Sequence, residues 1–207
     1  SLSAPLKYLR NLDEKEIEKE IKSIIKEVSL KEEFLNRFPH EFSGGQAQRI
    51  GIARVLLSKA KIIILDEPVS ALDVSVQSQI LNLLNDLQKK FELSYIVISH
   101  DLAVIEAICD RVMVMYFGDI VEKSDAKELF KKPYHPYTNL LLKSVPKTNQ
   151  KIKIQNLIET ELPDPINPPE GCSFYSRCEN KTEKCKDINP EETIKENRKF
   201  KCFFPNN

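Results

Sequence analysis

Phe42-Ser43-Gly44-Gly45-Gln46 and, further along, Ile62-Ile63-Ile64-Leu65-Asp66-Glu67-Pro68 decide how the rest of this chain is read. The first is a Ser-Gly-Gly-Gln turn that runs straight into a helical pattern. A glycine pair at a helix N-terminus bares backbone N–H groups, and with the Ser43 hydroxyl these make an anion site. The second is a short, apolar, β-branched run, expected as a buried parallel strand from Lys61 to Leu65. It ends in two adjacent carboxylates. At a strand tip of an α/β protein such a pair can hold Mg²⁺ and poise a base. A phosphate grip and a metal-plus-base tip in one short segment suggest nucleotide hydrolysis. Each feature alone has a plainer reading, since Gly-Gly often marks a turn and Asp-Glu often caps the next helix.

The next residues extend the pattern. Ser70-Ala71-Leu72-Asp73 and Ile96-Val97-Ile98-Ser99-His100-Asp101 follow in order. Together the four segments resemble the signature motif, Walker B, D-loop and switch-histidine strand of ABC-type ATPases. Further along, His135-Pro136-Tyr137-Thr138, an apolar helix and Val145-Pro146 resemble the oligopeptide and dipeptide importer branch of that family. Gly171-Cys172-Ser173-Phe174 and Arg177-Cys178 match the C-terminal extension of the same branch, where Pro often stands in place of Ser173.

Composition sets bounds around that reading. The 207 residues suffice for one ordinary domain and an appendage. Lys and Arg number 31 and Asp and Glu 31, so no electrostatic case for a nucleic-acid partner arises. A hydrophobic share of 41% points to a packed core. No apolar run approaches the roughly 18 residues of a membrane helix, so a membrane role would be peripheral, through a partner. No secretory signal pattern is present. The chain opens Ser1-Leu2-Ser3 without Met, and none of Gly44, Gly45, Gly51, Gly118 or Gly171 begins a G-x-x-x-x-G-K-[ST] phosphate loop. The expectation is the C-terminal part of an ATPase subunit, inactive as an isolated 207-residue chain.

Residues 1–41 read as helical. Asp13 and Glu16 form a capping-box pattern, and Ile17, Ile21, Ile24, Ile25 and Val28 recur on one helical face. A helix from Gln46 to about Ser58 carries Ile50, Ala53, Arg54 and Leu57 at three- and four-residue spacing. Leu72 to Phe91 is expected as a long helix with Leu81, Leu84 and Leu87 inside. A strand over 94–99, a helix over 101–109 with Cys109 in the core, a strand over 112–117 and a Gly118-Asp119 turn into Ile120-Val121-Glu122 follow. Strand–helix alternation indicates an α/β fold with a parallel sheet, its last strands possible as antiparallel. Two short helices are expected over 124–145, with His135 packing and capping. Pro163, Pro165, Pro168 and Pro169 mark a linker over 147–170. The implied divisions are 1–45 (helical subdomain ending in the signature), 46–123 (ATPase core), 124–170 (importer-type extension and linker) and 171–207 (four-cysteine tail).

The resemblance implies a role for each matching residue. Asp66 would hold Mg²⁺ through water and Glu67 would be the general base. His100 would contact the γ-phosphate, with Asp73 along a dimer interface. Ser43, Gly44, Gly45 and Gln46 would close on ATP bound to the opposite subunit of a head-to-tail dimer. It also implies transmembrane permease subunits, a second ATP-binding subunit (identical or different) and, indirectly, an external solute-binding protein. The place would be the cytoplasmic face of the plasma membrane. Alternatives are a non-hydrolysing subunit that completes a composite site, an importer of nickel or another small solute, and a soluble ATPase acting on nucleic acid or ribosomes. Neutral charge and the importer-like tail speak against the last.

Cys172, Cys178, Cys185 and Cys202 are four of the five cysteines, crowded into a Pro- and Lys-rich tail. A cytoplasmic compartment disfavours disulfides there. Structural zinc sites usually carry tight C-x₂₋₄-C pairs, and none occurs here. Wider spacing suits thiolates spread over a [4Fe–4S] cluster, which importer-branch relatives with this tail are associated with. Cluster, zinc and two disulfides are the expectations, in that order.

Overall fold

The computed structural model describes residues 2–145 and 169–206, which fold as two compact units, Ser1–Ile108 and Cys109–Asn207. The expected linker over 147–170 lies outside the described residues except for Pro169 and Glu170, and Pro146 also lies outside them. Among the described residues no helix is long and apolar enough to cross a membrane.

In the first unit, α1 (Ser3–Arg10) leads into α2 (Glu14–Glu27), whose N-terminus is a complete capping box. Asp13 Oδ1 accepts from Glu16 N at 2.8 Å and Glu16 Oε2 from Asp13 N at 3.1 Å. Ile17, Ile24, Ile25 and Val28 are buried along the predicted face. Two short 3-10 turns then lead to α3 (Gly44–Leu56). This helix starts two residues before the sequence reading and buries Ile52, Ala53, Leu56 and Leu57, while Arg54 is exposed. Of the expected set Ile50, Ala53, Arg54 and Leu57, Ala53 and Leu57 are buried and Ile50 is half-buried, so Arg54 alone departs from it. The Arg49 guanidinium instead reaches back to the Val28 carbonyl at the end of α2, 2.9 Å away.

Strand β1 (Ile62–Asp66) pairs in parallel with β2 (Ser94–Ile98), as predicted, with α4 (Val74–Phe91) between them in the chain and α5 (Leu102–Ile108) after. The expectation that β1 is buried holds for one face only. Ile63 and Leu65 are buried, whereas Ile62 and Ile64 are 63% and 65% exposed. The pleat sends alternate side chains to opposite faces, and α4 lies on the Ile63 side, where Tyr95 of β2 donates its hydroxyl to the Leu84 carbonyl at 2.9 Å. Helix α4 buries Ile80, Leu83, Leu84 and Leu87, and Leu81 is only partly covered.

In the second unit, β3 (Arg111–Tyr116) and β4 (Asp119–Asp125) form an antiparallel hairpin, followed by α6 (Ala126–Lys131) and α7 (Pro136–Ser144). Gly118, with φ +80, makes the turn. Cys109 precedes this hairpin and is half-buried, not the core helical residue expected, because α5 ends at Ile108. The tail contributes α8 (Glu183–Asp187) and a hairpin of β5 (Thr193–Lys195) and β6 (Arg198–Phe200). Strand β6 pairs with β4, so the sheet order is β3-β4-β6-β5. The tail segment thus gains its core by joining a sheet begun eighty residues earlier. Val114, Tyr116, Val121, Leu129 and Phe174 form that core, with the Phe174 ring edge-on to Tyr116 at 5.3 Å.

Candidate functional site

In the first unit, α3 begins where Ser43 turns the chain. Ser43 Oγ accepts from Gln46 N at 3.4 Å, and Gln46 Oε1 accepts from Ser43 N at 3.1 Å. The motif is therefore a capping box, and its two side chains are occupied with the helix end. The glycines serve a second purpose, which the sequence reading missed. A Cβ on Gly44 would sit 3.1 Å from Leu72 Cδ2, and one on Gly45 only 2.5 Å from Val76 Cγ1. Lack of side chains lets the first turn of α3 lie directly against the start of α4.

That start is itself capped. Asp73 Oδ1 accepts from Val76 N at 3.0 Å and from the Ser75 hydroxyl at 2.7 Å. These bonds, Ser75 first, hold the Asp73 carboxyl below its ordinary range. Gln77 Nε2 donates to the carbonyls of Val69 and Leu72, so the loop before α4 is tied from behind. Gly44, Gly45 and the residues around Asp73 are thus one assembly.

Asp66 closes β1 and is exposed, and Glu67 follows at φ +46, a left-handed turn that swings the chain off the sheet. The Glu67 N–H donates to the Ile98 carbonyl of β2 at 2.9 Å. Its Oε1 lies 2.7 Å from His100 Nδ1 and accepts the His100 backbone N–H at 3.1 Å. The hydrogen bond to Glu67, then its charge, raises the His100 pKa above the ordinary value. The structure brings Glu67 and His100 into contact beside an exposed Asp66 carboxylate. A carboxylate at a strand tip, open to solvent, has the donor chemistry for a Mg²⁺ ion that keeps part of its water shell. A paired carboxylate and imidazole can accept a proton from water and hydrogen-bond a phosphate oxygen.

The second unit gathers a different set. Cys172, Cys178, Cys185 and Cys202 all line one small cavity of about 10 Å³, together with His135 and Phe174. Burial above all, with the neighbouring sulfurs adding to it, pushes the Cys202 thiol up to about 12; burial also raises Cys172 and Cys178. Four soft donors on one cavity suit a thiolate-held group, whose positive charge would offset that cost and release protons. Among the described residues no three His, Cys, Asp or Glu side chains are placed to hold a single metal ion. What the four cysteines share is thiol donor chemistry on one cavity.

His135 is the histidine on that cavity. It is 1% exposed, caps α7 by accepting the Tyr137 N–H on Nδ1 at 3.1 Å, and is driven by burial to a pKa of about 4. The sequence reading gave it packing and capping, and both hold; its place on the cysteine cavity was not foreseen. Glu122 was missed altogether. Fully buried on β4, it accepts from Tyr134 N at 2.8 Å on Oε1 and from His135 N at 2.9 Å on Oε2. Arg198 of β6 is likewise buried, donating to the carbonyls of Glu128 and Lys132 and stacking on the Tyr134 ring at 4.3 Å.

Two family descriptions match the chain: "ABC transporter" over residues 3–70 and "Oligopeptide/dipeptide transporter, C-terminal region" over residues 121–185. Dipeptide transport ATP-binding protein DppF of Haemophilus influenzae is 47% identical over 204 residues, covering 98% of this chain and 62% of that protein. Oligopeptide transport ATP-binding protein OppF of Escherichia coli is 48% identical over 193 residues, 91% of this chain and 58% of that one. The chain thus spans about three-fifths of the length of the curated relatives it matches. A solved structure, cbiO1 from Clostridium perfringens, part of the ABC transporter complex cbiONQ, is 33% identical with a TM-score of 0.58 over 63% of this chain and 51% of its own. At 47–48% identity over more than nine-tenths of its length, and with both family descriptions matched in order, the chain is similar to the ATP-binding proteins of ABC transporters in their oligopeptide/dipeptide branch.

Proposed function

We propose that this chain is part of the ATP-binding and ATP-hydrolysing subunit of an importer of oligopeptides or dipeptides. The observation that carries the reading is the 2.7 Å pairing of Glu67 with His100 at the ends of adjacent parallel strands, beside Asp66. In this reading Asp66 holds Mg²⁺ through water, Glu67 is the general base for the attacking water, and His100 contacts the γ-phosphate. The α3 N-terminus, with Ser43, Gly44, Gly45 and Gln46, presents backbone N–H groups to ATP bound by a second subunit, and Asp73 lines the interface. Phosphoryl transfer to water needs positioning and charge stabilisation more than covalent chemistry, so parts drawn from two subunits can perform it.

The partners that follow are a second ATP-binding subunit, transmembrane permease subunits and, through them, an external solute-binding protein. The place is peripheral, on the cytoplasmic face of the membrane. The names of the relatives support peptides as cargo.

Glu67→Gln in the reconstituted transporter tests the assignment. The amide preserves shape and loses the base, so ATP binding stays and hydrolysis falls by at least about 100-fold. Turnover at the normal rate removes Glu67 from the role.

The four cysteines of the tail hold a [4Fe–4S] cluster in this reading. Support comes from the four thiols that line one cavity and from their wide spacing along the chain. The cluster would be structural, because moving a solute needs no redox step. Anaerobic purification followed by iron, labile sulfide and zinc analysis decides: stoichiometric zinc without iron or sulfide refutes it.

A further inference from the structure

Gln77 lies one turn into α4 and is half-buried. Its Nε2 carries two protons and has two partners, the Val69 carbonyl at 3.2 Å and the Leu72 carbonyl at 3.1 Å. Carbonyls only accept, so the position calls for a donor, and a carboxylate there would be repelled. Both carbonyls belong to the loop between two residues of the candidate site. Glu67 stands at one end, at φ +46, and Asp73, the cap of α4, at the other. Within the loop the Ser70 N–H and hydroxyl donate to the Glu67 carbonyl at 3.4 and 3.3 Å, and the Leu72 N–H donates to that of Val69 at 3.1 Å. Those bonds fold the loop on itself; the Gln77 amide ties it to α4. Leu72 in turn lies against α3, its Cδ2 3.1 Å from where a Cβ on Gly44 would stand. Helix formation alone would be served as well by Met or Lys at this position.

We infer that Gln77 is a positioning residue for ATP hydrolysis: its amide holds the Val69–Leu72 backbone and so fixes Glu67 relative to the Ser43–Gln46 turn. The inference rests on the reading of Glu67 as general base given above. Gln77 acts through the loop, not on the nucleotide. A base works only within hydrogen-bond reach of the proton it takes, and a misplacement of about 1 Å can cost about 100-fold in rate. The same amide, through Leu72 and Gly44, keeps the first turn of α3 in place against the loop, so the base and the phosphate-facing turn share one support.

Two substitutions separate donation from helix formation and packing. Met and Lys rank beside Gln in helix propensity, so neither weakens α4 itself. Gln77→Met fills the same space and removes both donors; Gln77→Lys restores donors at the end of a flexible stem. In the reconstituted transporter, Gln77→Met is expected to lower kcat for ATP hydrolysis at least about tenfold, with KM within about threefold of wild type. A displaced base raises the barrier without weakening substrate binding. Gln77→Lys is expected to recover most of the lost rate. In the wild-type transporter, hydrogen exchange read by mass spectrometry should show residues 68–72 protected at least about tenfold over an unstructured peptide. Free exchange there overturns the inference whether or not the variants assemble. An unchanged kcat in Gln77→Met, or a loss that Gln77→Lys does not recover, overturns it; slow hydrolysis by Glu67→Gln then leaves the assignment of the base standing. Normal turnover in Glu67→Gln overturns both.

Discussion

Glu67 Oε1 holds His100 twice, by the ring at 2.7 Å and by the backbone N–H at 3.1 Å. The pairing is a product of register. Asp66 stands opposite Ile98, so the residues after each strand leave the sheet side by side. The left-handed turn at Glu67 then aims its carboxylate across to β2 rather than along the chain. Both side chains keep a solvent-facing edge, with the His100 side chain 79% exposed, so a phosphate could reach the pair.

The pairing has a pH signature. A histidine whose folded pKa stands above its unfolded value of about 6.5 adds stability that is fully present below that value and lost as pH rises through the folded one. The His100 imidazole should therefore titrate above 6.5 by NMR, because the Glu67 hydrogen bond and charge favour its protonated form. Glu67→Gln should bring the midpoint down. An unmoved midpoint would assign the shift to another group.

Gly45 is a packing residue as well as a backbone donor. Alanine is better than glycine in a helix by about 1 kcal/mol. Yet its Cβ would lie 2.5 Å from Val76 Cγ1, and overpacking of this kind costs about 1–3 kcal/mol. Gly45→Ala should lower the denaturation midpoint, and adding Val76→Ala should recover part of the loss. Higher stability in the single variant would show that the close approach is not what glycine serves.

Glu122→Gln should destabilise the second unit by about 2 kcal/mol. Glutamine offers one carbonyl oxygen where two backbone N–H groups need acceptors, and its amide would face the other N–H. Chemical denaturation followed by Tyr fluorescence reads the loss, and a midpoint equal to wild type would mean that the clasp of Tyr134 and His135 contributes nothing net.

The purified 207-residue chain should neither bind ATP tightly nor turn it over, since its sequence holds no phosphate loop. Measurable hydrolysis by this chain alone would contradict the composite-site reading. Mixed with a complete subunit, its signature face should still close one site.

The sequence by itself determined the local elements whose causes are local. Asp13 and Glu16 sit three apart and cap α2 by themselves; Ser43 and Gln46 do the same for α3; Gly118 makes its turn because no side chain resists a positive φ. The positions of β1, β2, the later hairpin and the helices after Asp125 followed from local pattern, and the parallel pairing of β1 with β2 from the strand–helix–strand order. Tertiary structure alone decided which residues meet. Glu122 escaped notice because a bulge opposite Val114 and Met115 buries Val121 and Glu122 in succession, breaking the alternation that marks an inward face. The β5–β6 hairpin is short and mostly polar, and it becomes a strand pair only because β4 offers it an edge. His135 and the four cysteines lie far apart along the chain, and their shared cavity exists only once α7, α8 and the last strand have packed. Spacing can nominate such residues, but only the closing of long loops around one core brings them to a single point.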